Sequence, residues 1–316
     1  GRQGVTGGAG RMAARGEQFL ACLKRGELLV FDGAMGTMLF AAGLKGGACP
    51  ELWNATHPEV VQEIHRGYFD AGSDIVETNT FGGTRLKLAA YGLQDRTREL
   101  NILGGKLARE VCPPGGFVAG SLGPTGHLPD WFAPLGDVSE QALTDNFREQ
   151  AEALAEGGVD LFAVETMMYP EEAVLAIQAA KETTGLPVMC TMFFQFERDK
   201  GRDRTMWGTS PEEAAKILLE AGADVVGMNC GDGGPERAAA IMRAMRSVTG
   251  APLIAYPNAG LPVVHKDGRT TYELSPEEMV TGYPAILEAG ANVVGGCCGT
   301  SPAHLALIST LVKARR

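Results

Sequence analysis

The sequence predicts an α/β protein with the (β/α)8 TIM-barrel fold. Eight near-continuous apolar runs alternate with segments of helical periodicity, which is typical of parallel strands covered on both faces. A short motif also recurs before every second run, and 316 residues suit such a barrel. An open doubly wound sheet would explain neither that repeat nor the lack of a Gly-x-Gly-x-x-Gly turn after the first strand.

The chain begins with a Gly- and Arg-rich segment that shows no periodicity. We expect residues 1–16 to be a disordered tail and residues 17–316 to form a single barrel domain. A short helix at about Glu17–Lys24 should close one end of the barrel. The predicted strands are, in chain order, Leu28–Asp32, Asp74–Thr78, Phe117–Ser121, Leu161–Glu165, Val188–Phe193, Val225–Asn229, Leu253–Tyr256 and Val293–Gly296.

Helix-start signals lie between these runs. A hydroxyl side chain that can cap a helix is followed by Pro near the first helical position. The signals are Thr56-His57-Pro58-Glu59, Ser210-Pro211-Glu212-Glu213, Ser275-Pro276-Glu277-Glu278 and Thr300-Ser301-Pro302.

The repeated motif ends a helix with glycine and enters a buried strand after a short turn. It precedes strands 2, 4, 6 and 8. Its copies are Ala71-Gly72-Ser73-Asp74, Gly157-Gly158-Val159-Asp160, Ala221-Gly222-Ala223-Asp224 and Ala289-Gly290-Ala291-Asn292.

Composition narrows the class of protein. A formal net charge of −10 argues against nucleic acid or an anionic membrane as the main partner. No apolar run is long enough to span a bilayer, and no signal-peptide core precedes the fold. Seven cysteines without disulfide-scaffold spacing indicate a reducing compartment, so we expect a cytoplasmic protein.

Three cysteines follow look-alike strands and are candidate metal ligands. Cys297 and Cys298 follow strand 8 within a glycine-rich turn, and the end of strand 6 aligns with this stretch so that Cys230 matches Cys298. Three thiolates suit zinc and leave a fourth position open, as in catalytic sites. Alternatives are a fourth ligand from His304, three unliganded buried thiols, and a vicinal disulfide. Cys22, Cys49, Cys112 and Cys190 receive no role.

Other polar residues at strand ends should face the same barrel mouth. Asp32 ends strand 1 and Glu165 ends strand 4, and beside a thiolate-bound metal two carboxylates suit an ammonium group. Asp32 is also a possible helix cap. Four long loops should wall this mouth or receive a partner. They are residues 33–55, 122–139, 195–209 and 258–274.

Five stretches resemble the homocysteine S-methyltransferase family, specifically the homocysteine-binding barrel of cobalamin-dependent methionine synthases and its short relatives. They occur in the family's order and span nearly the whole chain after the tail. They are Phe31-Asp32-Gly33-Ala34-Met35-Gly36-Thr37, Glu77-Thr78-Asn79-Thr80-Phe81, Val164-Glu165-Thr166-Met167, Gly227-Met228-Asn229-Cys230 and Gly295-Gly296-Cys297-Cys298-Gly299-Thr300.

The resemblance implies a role for each matched site residue. Cys230, Cys297 and Cys298 would bind zinc, with the substrate thiol in the open position. Asp32 and Glu165 would hold the amino group of homocysteine. The backbone around Gly33 and Ala34 would receive its carboxylate, and Asn229 is expected to contact the substrate. No catalytic residue is expected beyond the zinc-activated substrate thiol.

The resemblance also implies the reaction. We expect methylation of homocysteine to methionine, with a methylated corrinoid as the donor and cobalamin bound by a partner module or protein rather than by this barrel. The loop Gly231–Pro235 departs from the usual synthase sequence. One alternative is the same acceptor chemistry with a small onium donor, betaine or S-methylmethionine. Another is a non-catalytic zinc-storing or redox barrel.

Overall fold

The computed structural model describes residues 6–316, and its central feature is one eight-stranded parallel sheet. Strands are hydrogen-bonded in the order 1-8-7-6-5-4-3-2, so the sheet curls into the predicted barrel. Strands 1 to 8 are Leu29–Val30, Ile75–Glu77, Phe117–Leu122, Leu161–Met167, Val188–Met192, Val225–Cys230, Leu253–Pro257 and Val293–Val294.

One long helix or helical segment follows each strand and covers the outside of the barrel. These helices are Pro58–Ala71, Thr97–Val111, Glu140–Glu156, Pro170–Thr184, Pro211–Glu220, Gly234–Arg246, Tyr283–Glu288 and Pro302–Lys313. Short helices Gly36–Ala41, Trp53–Thr56, Arg85–Leu88 and Pro276–Val280 lie in the connections. Two hairpins, Gln195–Glu197 with Arg202–Arg204 and Pro262–Val264 with Thr270–Tyr272, extend the loops after strands 5 and 7. Among the described residues, no helix is both long and apolar enough to cross a membrane.

The first helix is longer than the sequence analysis predicts. It spans Thr6–Lys24, so the expected disordered tail is wrong for residues 6–16, while residues 1–5 lie outside the described part of the chain. Tertiary contacts explain the difference. Arg15 donates to Asp160 at 3.2 Å, and a Cβ on Gly16 would lie 2.8 Å from Pro187. Phe19 is fully buried against Phe117, so this helix covers the barrel end as expected.

Three of the four helix-start signals predicted from the sequence have their serine at the N-cap of a helix. Ser210 and Ser275 accept backbone N–H bonds as N-caps, and Ser301 is the N-cap of the last helix. Thr56 does not cap the helix that begins at Pro58, because it is itself the last residue of the preceding helix. His57 is the N-cap there, without a side-chain cap bond.

The repeated motif joins pairs of neighbouring strands. The glycine at the second position of each copy has a positive φ, between 99° and 115°. The acid or amide two residues later accepts a hydrogen bond from the first part of the preceding strand. The bonds run from Val30 N to Asp74 (2.8 Å), Val118 N to Asp160 (2.9 Å), Val188 N to Asp224 (2.9 Å) and Leu253 N to Asn292 (2.9 Å).

Each of these side chains also contacts one or two basic side chains. Asp74 contacts Arg316, Asp160 contacts Arg15 and Arg109, Asp224 contacts Lys181, and Asn292 contacts Arg246. The motif therefore connects strands 1–2, 3–4, 5–6 and 7–8. At strands 1 and 2 it completes the barrel, because those strands share no ladder of their own and Asp74 N donates to Val30 O at 2.7 Å.

Asp160 offers a direct test, because its side chain is fully buried. Asp160→Ala leaves the Val118 N–H and two arginines without their acceptor, so the free energy of unfolding should fall by about 2–4 kcal/mol. Asp160→Asn keeps the acceptor, as Asn292 does naturally, and should cost less. Urea denaturation measures both. Equal losses in the two variants would contradict the role given to the backbone hydrogen bond.

Candidate metal centre and substrate pocket

Three thiols meet at the mouth of the barrel. The Sγ atoms of Cys230, Cys297 and Cys298 all lie within 4.8 Å of one another. Cys230 ends strand 6, and the vicinal pair follows strand 8 after Gly295 and Gly296. The convergence expected from the barrel topology is therefore present, and all seven cysteines are free thiols.

The backbone is strained where it presents these side chains. Thr166 (φ 57°) and Cys230 (φ 62°) are the two non-glycine residues with positive φ in the described chain, and both lie at this mouth. Such conformations are costly and concentrate at functional sites. Gly299 (φ 79°) turns the chain after the vicinal pair. Position 295 requires glycine for a steric reason, because a Cβ there would lie 2.7 Å from Asp32 O.

Two asparagines hold the loops that carry the thiols. Asn258 Oδ1 accepts from Cys298 N at 3.0 Å, and its Nδ2 donates to Gly231 O at 3.0 Å. Asn229 Nδ2 lies 3.7 Å from Cys297 Sγ. The sequences after strands 6, 7 and 8 are thereby fixed to one another.

Hydrogen bonding divides charge unequally among the three thiols. The thiols of Cys230 and Cys297, and then the Tyr272 hydroxyl, lower the pKa of Cys298 to about 3 against the cost of burial. Bonds with Cys230 and Cys298 raise the pKa of Cys297 well above its ordinary value. Three thiolates held this close together would require a cation to balance their charge.

The thiol cluster fits a zinc ion. Zinc–sulfur bonds of about 2.3 Å in a tetrahedron place sulfurs roughly 3.8 Å apart, inside the 4.8 Å limit observed here. His304 does not complete the set, because its Nδ1 lies 3.0 Å from Ser301 Oγ and its Nε2 lies 3.1 Å from Leu274 O. The cluster therefore offers a metal three sulfur atoms of one chemical type.

Three carboxyl groups form a second cluster at this mouth. Asp32 and Glu165 are buried near each other, and Glu77, which is half-buried, lies beside both, with its backbone N–H donating to Asp32 Oδ2 at 2.9 Å. Burial first, and then the other carboxyl groups, raises the pKa of both Asp32 and Glu77. Burial also raises the pKa of Glu165, although hydrogen bonds from Glu77, Ser121 and Tyr256 oppose it. We call Asp32, Glu77 and Glu165 the acidic pocket.

Asn229 has no hydrogen-bonding capacity left for a substrate. Its Oδ1 accepts from Thr166 N at 2.8 Å and from Thr191 Oγ1 at 2.6 Å. Its Nδ2 donates to Thr166 Oγ1 at 2.8 Å and faces Cys297 Sγ. An asparagine side chain offers two donors and two acceptor sites, so all four are engaged. Asn229 therefore supports Thr166 and Cys297, and its expected contact with the substrate stays a prediction.

The backbone expected to receive a carboxylate is only partly available. Ala34 N donates to Thr300 Oγ1 at 3.1 Å, and Ala34 O accepts from the Tyr68 hydroxyl at 2.5 Å. Gly33 lies so close to Tyr68, Leu305 and Thr300 that a Cβ would lie 2.7–2.8 Å from each. These contacts fix the turn after strand 1, and a role for Gly33 and Ala34 in binding substrate stays a prediction.

The long loops form an apolar wall at the mouth. Phe132 packs against Trp131, Tyr169 and Trp207, with ring centroids 5.8–6.5 Å apart. Trp131 and Trp207 are more than half exposed, and Met206 beside Trp207 is 50% exposed. This aromatic wall, residues 131, 132, 169, 206 and 207, comes from the loops after strands 3, 4 and 5. The long loops after strands 3 and 5 contribute to this wall, as expected, whereas Tyr169 comes from the short connection after strand 4.

Two site residues received no role from the sequence. Glu77 belongs to one of the matched stretches, and its place at a strand end was the available signal. Tyr272 lies on the hairpin after strand 7 and hydrogen-bonds to Cys298. It had no sequence signal, because the loop length alone does not reveal that the hairpin folds back over the thiols.

Comparisons with known proteins agree on one family. The model of the homocysteine S-methyltransferase family matches residues 29–312. The methionine synthase of Mycobacterium tuberculosis is 35% identical over 306 residues, covering 90% of this chain and 25% of that protein. The methionine synthase of Mycobacterium leprae is 34% identical, covering 90% of this chain and 24% of that protein.

A solved structure matches over the whole barrel. The metallated homocysteine methyltransferase MmuM of Escherichia coli superposes with a TM-score of 0.73 at 26% identity, covering 92% of this chain and 98% of that one. The present chain thus spans about a quarter of the methionine synthases and nearly all of the shorter enzyme. Fold, motif order and thiol cluster agree with these matches, and the chain belongs to the homocysteine S-methyltransferase family.

Proposed function

We propose that this barrel methylates homocysteine to methionine in a zinc-dependent reaction. The observation that carries the proposal is the convergence of three cysteine sulfurs beside a buried acidic pocket. A soft metal site next to carboxylates matches the two ends of homocysteine, a thiol and an ammonium group. Residues 17–316 act as one homocysteine-binding domain in this proposal, and we place the protein in the cytoplasm.

Each part of the substrate has a counterpart in the protein. Cys230, Cys297 and Cys298 would hold zinc. Bound zinc would lower the pKa of the substrate thiol, so that homocysteine is held as the nucleophilic thiolate near neutral pH. The acidic pocket would receive the ammonium group, and the backbone at Gly33 and Ala34 would receive the carboxylate. The barrel thereby contributes positioning rather than a protein base.

We infer that the methyl donor is a methylated corrinoid carried by another module or protein. The methionine synthases that match this chain are about four times longer than the matched segment, which leaves room for such a module in those relatives. The exposed aromatic wall at the mouth suits a docking partner that brings the methyl group over the thiols. Cobalamin would then belong to the partner and not to this barrel alone.

A second candidate is a small onium donor, betaine or S-methylmethionine. The supporting observation is that this chain covers 98% of the Escherichia coli homocysteine methyltransferase, so a barrel of this size is sufficient in that enzyme. A non-catalytic zinc or redox barrel would give no methyl transfer with any donor. Enzyme assays separate the three possibilities.

We predict one zinc ion per chain, bound by the three clustered cysteines. Replacing Cys230, Cys297 or Cys298 by Ala removes one of three soft ligands, so stoichiometric zinc and methyl transfer should both be lost while circular dichroism stays that of a folded barrel. Metal analysis by mass spectrometry measures the zinc. Cys22→Ser is the matched control and should retain zinc. Full zinc binding in an Ala variant would remove that cysteine from the ligand set.

Donor identity is tested by incubating zinc-loaded protein with homocysteine and one donor at a time. The donors are methylcobalamin, methylfolate, betaine and S-methylmethionine, and methionine is measured by chromatography. We expect methionine with methylcobalamin and little with the other three. Methionine from betaine or S-methylmethionine alone would favour the second candidate. No methionine from any donor, with homocysteine unbound, would refute the enzyme assignment.

A further inference from the structure

A chain of buried side chains connects the acidic pocket with the thiol cluster, and the proposed mechanism gives two of its members no role. Tyr256 Oη lies 2.7 Å from Glu165 Oε2 and 3.1 Å from Thr191 Oγ1. Thr191 Oγ1 lies 2.6 Å from Asn229 Oδ1, and Asn229 Nδ2 lies 3.7 Å from Cys297 Sγ. Tyr256 and Thr191 are only 2% and 1% exposed, so the hydrogen atoms of this chain are shared among its own side chains.

The backbone fixes the direction of the hydrogen bond at one end of the chain. Thr166 N lies 2.8 Å from Asn229 Oδ1, and a backbone N–H can only donate, so this oxygen is an acceptor. Thr191 must therefore donate its single hydroxyl hydrogen to Asn229. In the contact between Thr191 and Tyr256, the hydrogen can then come only from Tyr256.

The hydroxyl group of Tyr256 faces two oxygen atoms with one hydrogen. If the Glu165 carboxyl group is neutral, it donates to Tyr256 Oη and Tyr256 donates to Thr191, so that every contact in the chain contains one hydrogen. If Glu165 is ionised, Tyr256 donates to the carboxylate, and its contact with Thr191 contains none. The direction in which the Tyr256 hydroxyl group points therefore depends on the charge of Glu165.

An ammonium group changes the charge that Glu165 carries. Burial raises the pKa of Glu165, and the titratable groups that face it, Asp32, Glu77 and Cys298, are all acidic. Without a cation the neutral carboxyl group is therefore favoured, whereas a neighbouring ammonium group favours the carboxylate. On ammonium binding, the proton of Glu165 is released to the solvent.

We propose that Tyr256 is a positioning residue for the substrate amino group, and that its hydroxyl group turns from Thr191 to Glu165 when the ammonium group of homocysteine binds. This inference rests on the proposed function. The ring of Tyr256 packs against Phe31, with centroids 4.9 Å apart, so the ring stays in place and only the hydroxyl hydrogen moves. Thr191 donates to Asn229 in both states, which leaves the support of the thiol cluster unchanged.

The test compares homocysteine with 4-mercaptobutanoate, the same thiol without the amino group, by calorimetric titration of zinc-loaded protein. Tyr256→Phe keeps the packed ring and removes only the hydroxyl group. It should weaken homocysteine binding roughly three- to tenfold, because a hydrogen bond to a charged acceptor is stronger by about that factor than one to a neutral acceptor. Binding of 4-mercaptobutanoate should change by less than about twofold. Zinc content, measured by mass spectrometry, should stay that of the parent protein.

Thr191→Val is the matched control, because it removes the other partner of the Tyr256 hydroxyl group and leaves the hydrogen available for Glu165. The loss of the bond to Asn229 should affect both thiols by the same factor, so the ratio of the two affinities should not fall. If Tyr256→Phe does not fold, 4-fluorophenylalanine at position 256 fills the space of the hydroxyl group without a hydrogen to donate. The same selective loss of homocysteine affinity is expected for it.

An unchanged ratio of affinities in the variant at position 256 would overturn the inference, and so would equal weakening of both thiols. An equal fall of the ratio in Thr191→Val would also contradict it. If Glu165→Gln removes the discrimination between the thiols and Tyr256→Phe does not, the inference fails while the proposed function stands. If the zinc-loaded parent binds no homocysteine, both fail.

Discussion

Repulsion between like charges is the constraint on which the mouth of this barrel depends. Three thiols and three carboxyl groups lie there, and they influence one another. Burial is the main cause that raises the pKa of Glu165, and the charge of Cys298 adds to it. Burial likewise raises the pKa of Tyr68, and the charges of Asp32 and Cys297 add to it. In a partly desolvated site these groups cannot all be ionised unless cations enter. A metal ion would satisfy the thiols and an ammonium group would satisfy the carboxyls. These two requirements support the proposed substrate, a thiol that also carries an ammonium group.

The scaffold holds these groups together at a cost in backbone strain. Cys230 and Thr166 adopt left-handed conformations, and Asn229 connects them through its contacts with Thr166 and Cys297. Asn258 holds the turn of Cys298 against the loop after Cys230. At the opposite end of the barrel, the repeated Gly-x-Asp motif joins strands in pairs. Because these bonds hold the strands at that end of the barrel, the loops around the mouth can carry the site instead of joining the strands.

Much of the fold could be predicted from the sequence because its signals are local. Continuous apolar runs revealed the strands, and parallel topology then required Cys230 to approach Cys297 and Cys298. Contacts between distant residues were not predictable in this way. The N-terminal helix extends to Thr6 with the support of Arg15 on Asp160, and Asn229 is engaged by Thr166, Thr191 and Cys297. Neither feature has a pattern in the nearby sequence, and the same holds for the contact of Tyr272 with Cys298.

The central claim is that the substrate thiol joins the three cysteines at one zinc ion. Zinc K-edge absorption spectroscopy of the zinc-loaded protein, with and without homocysteine, tests it most directly. We predict that the number of sulfur neighbours rises from about three to about four on addition of homocysteine, as expected for a catalytic zinc site with one open position. A zinc environment that stays unchanged at saturating homocysteine would contradict it.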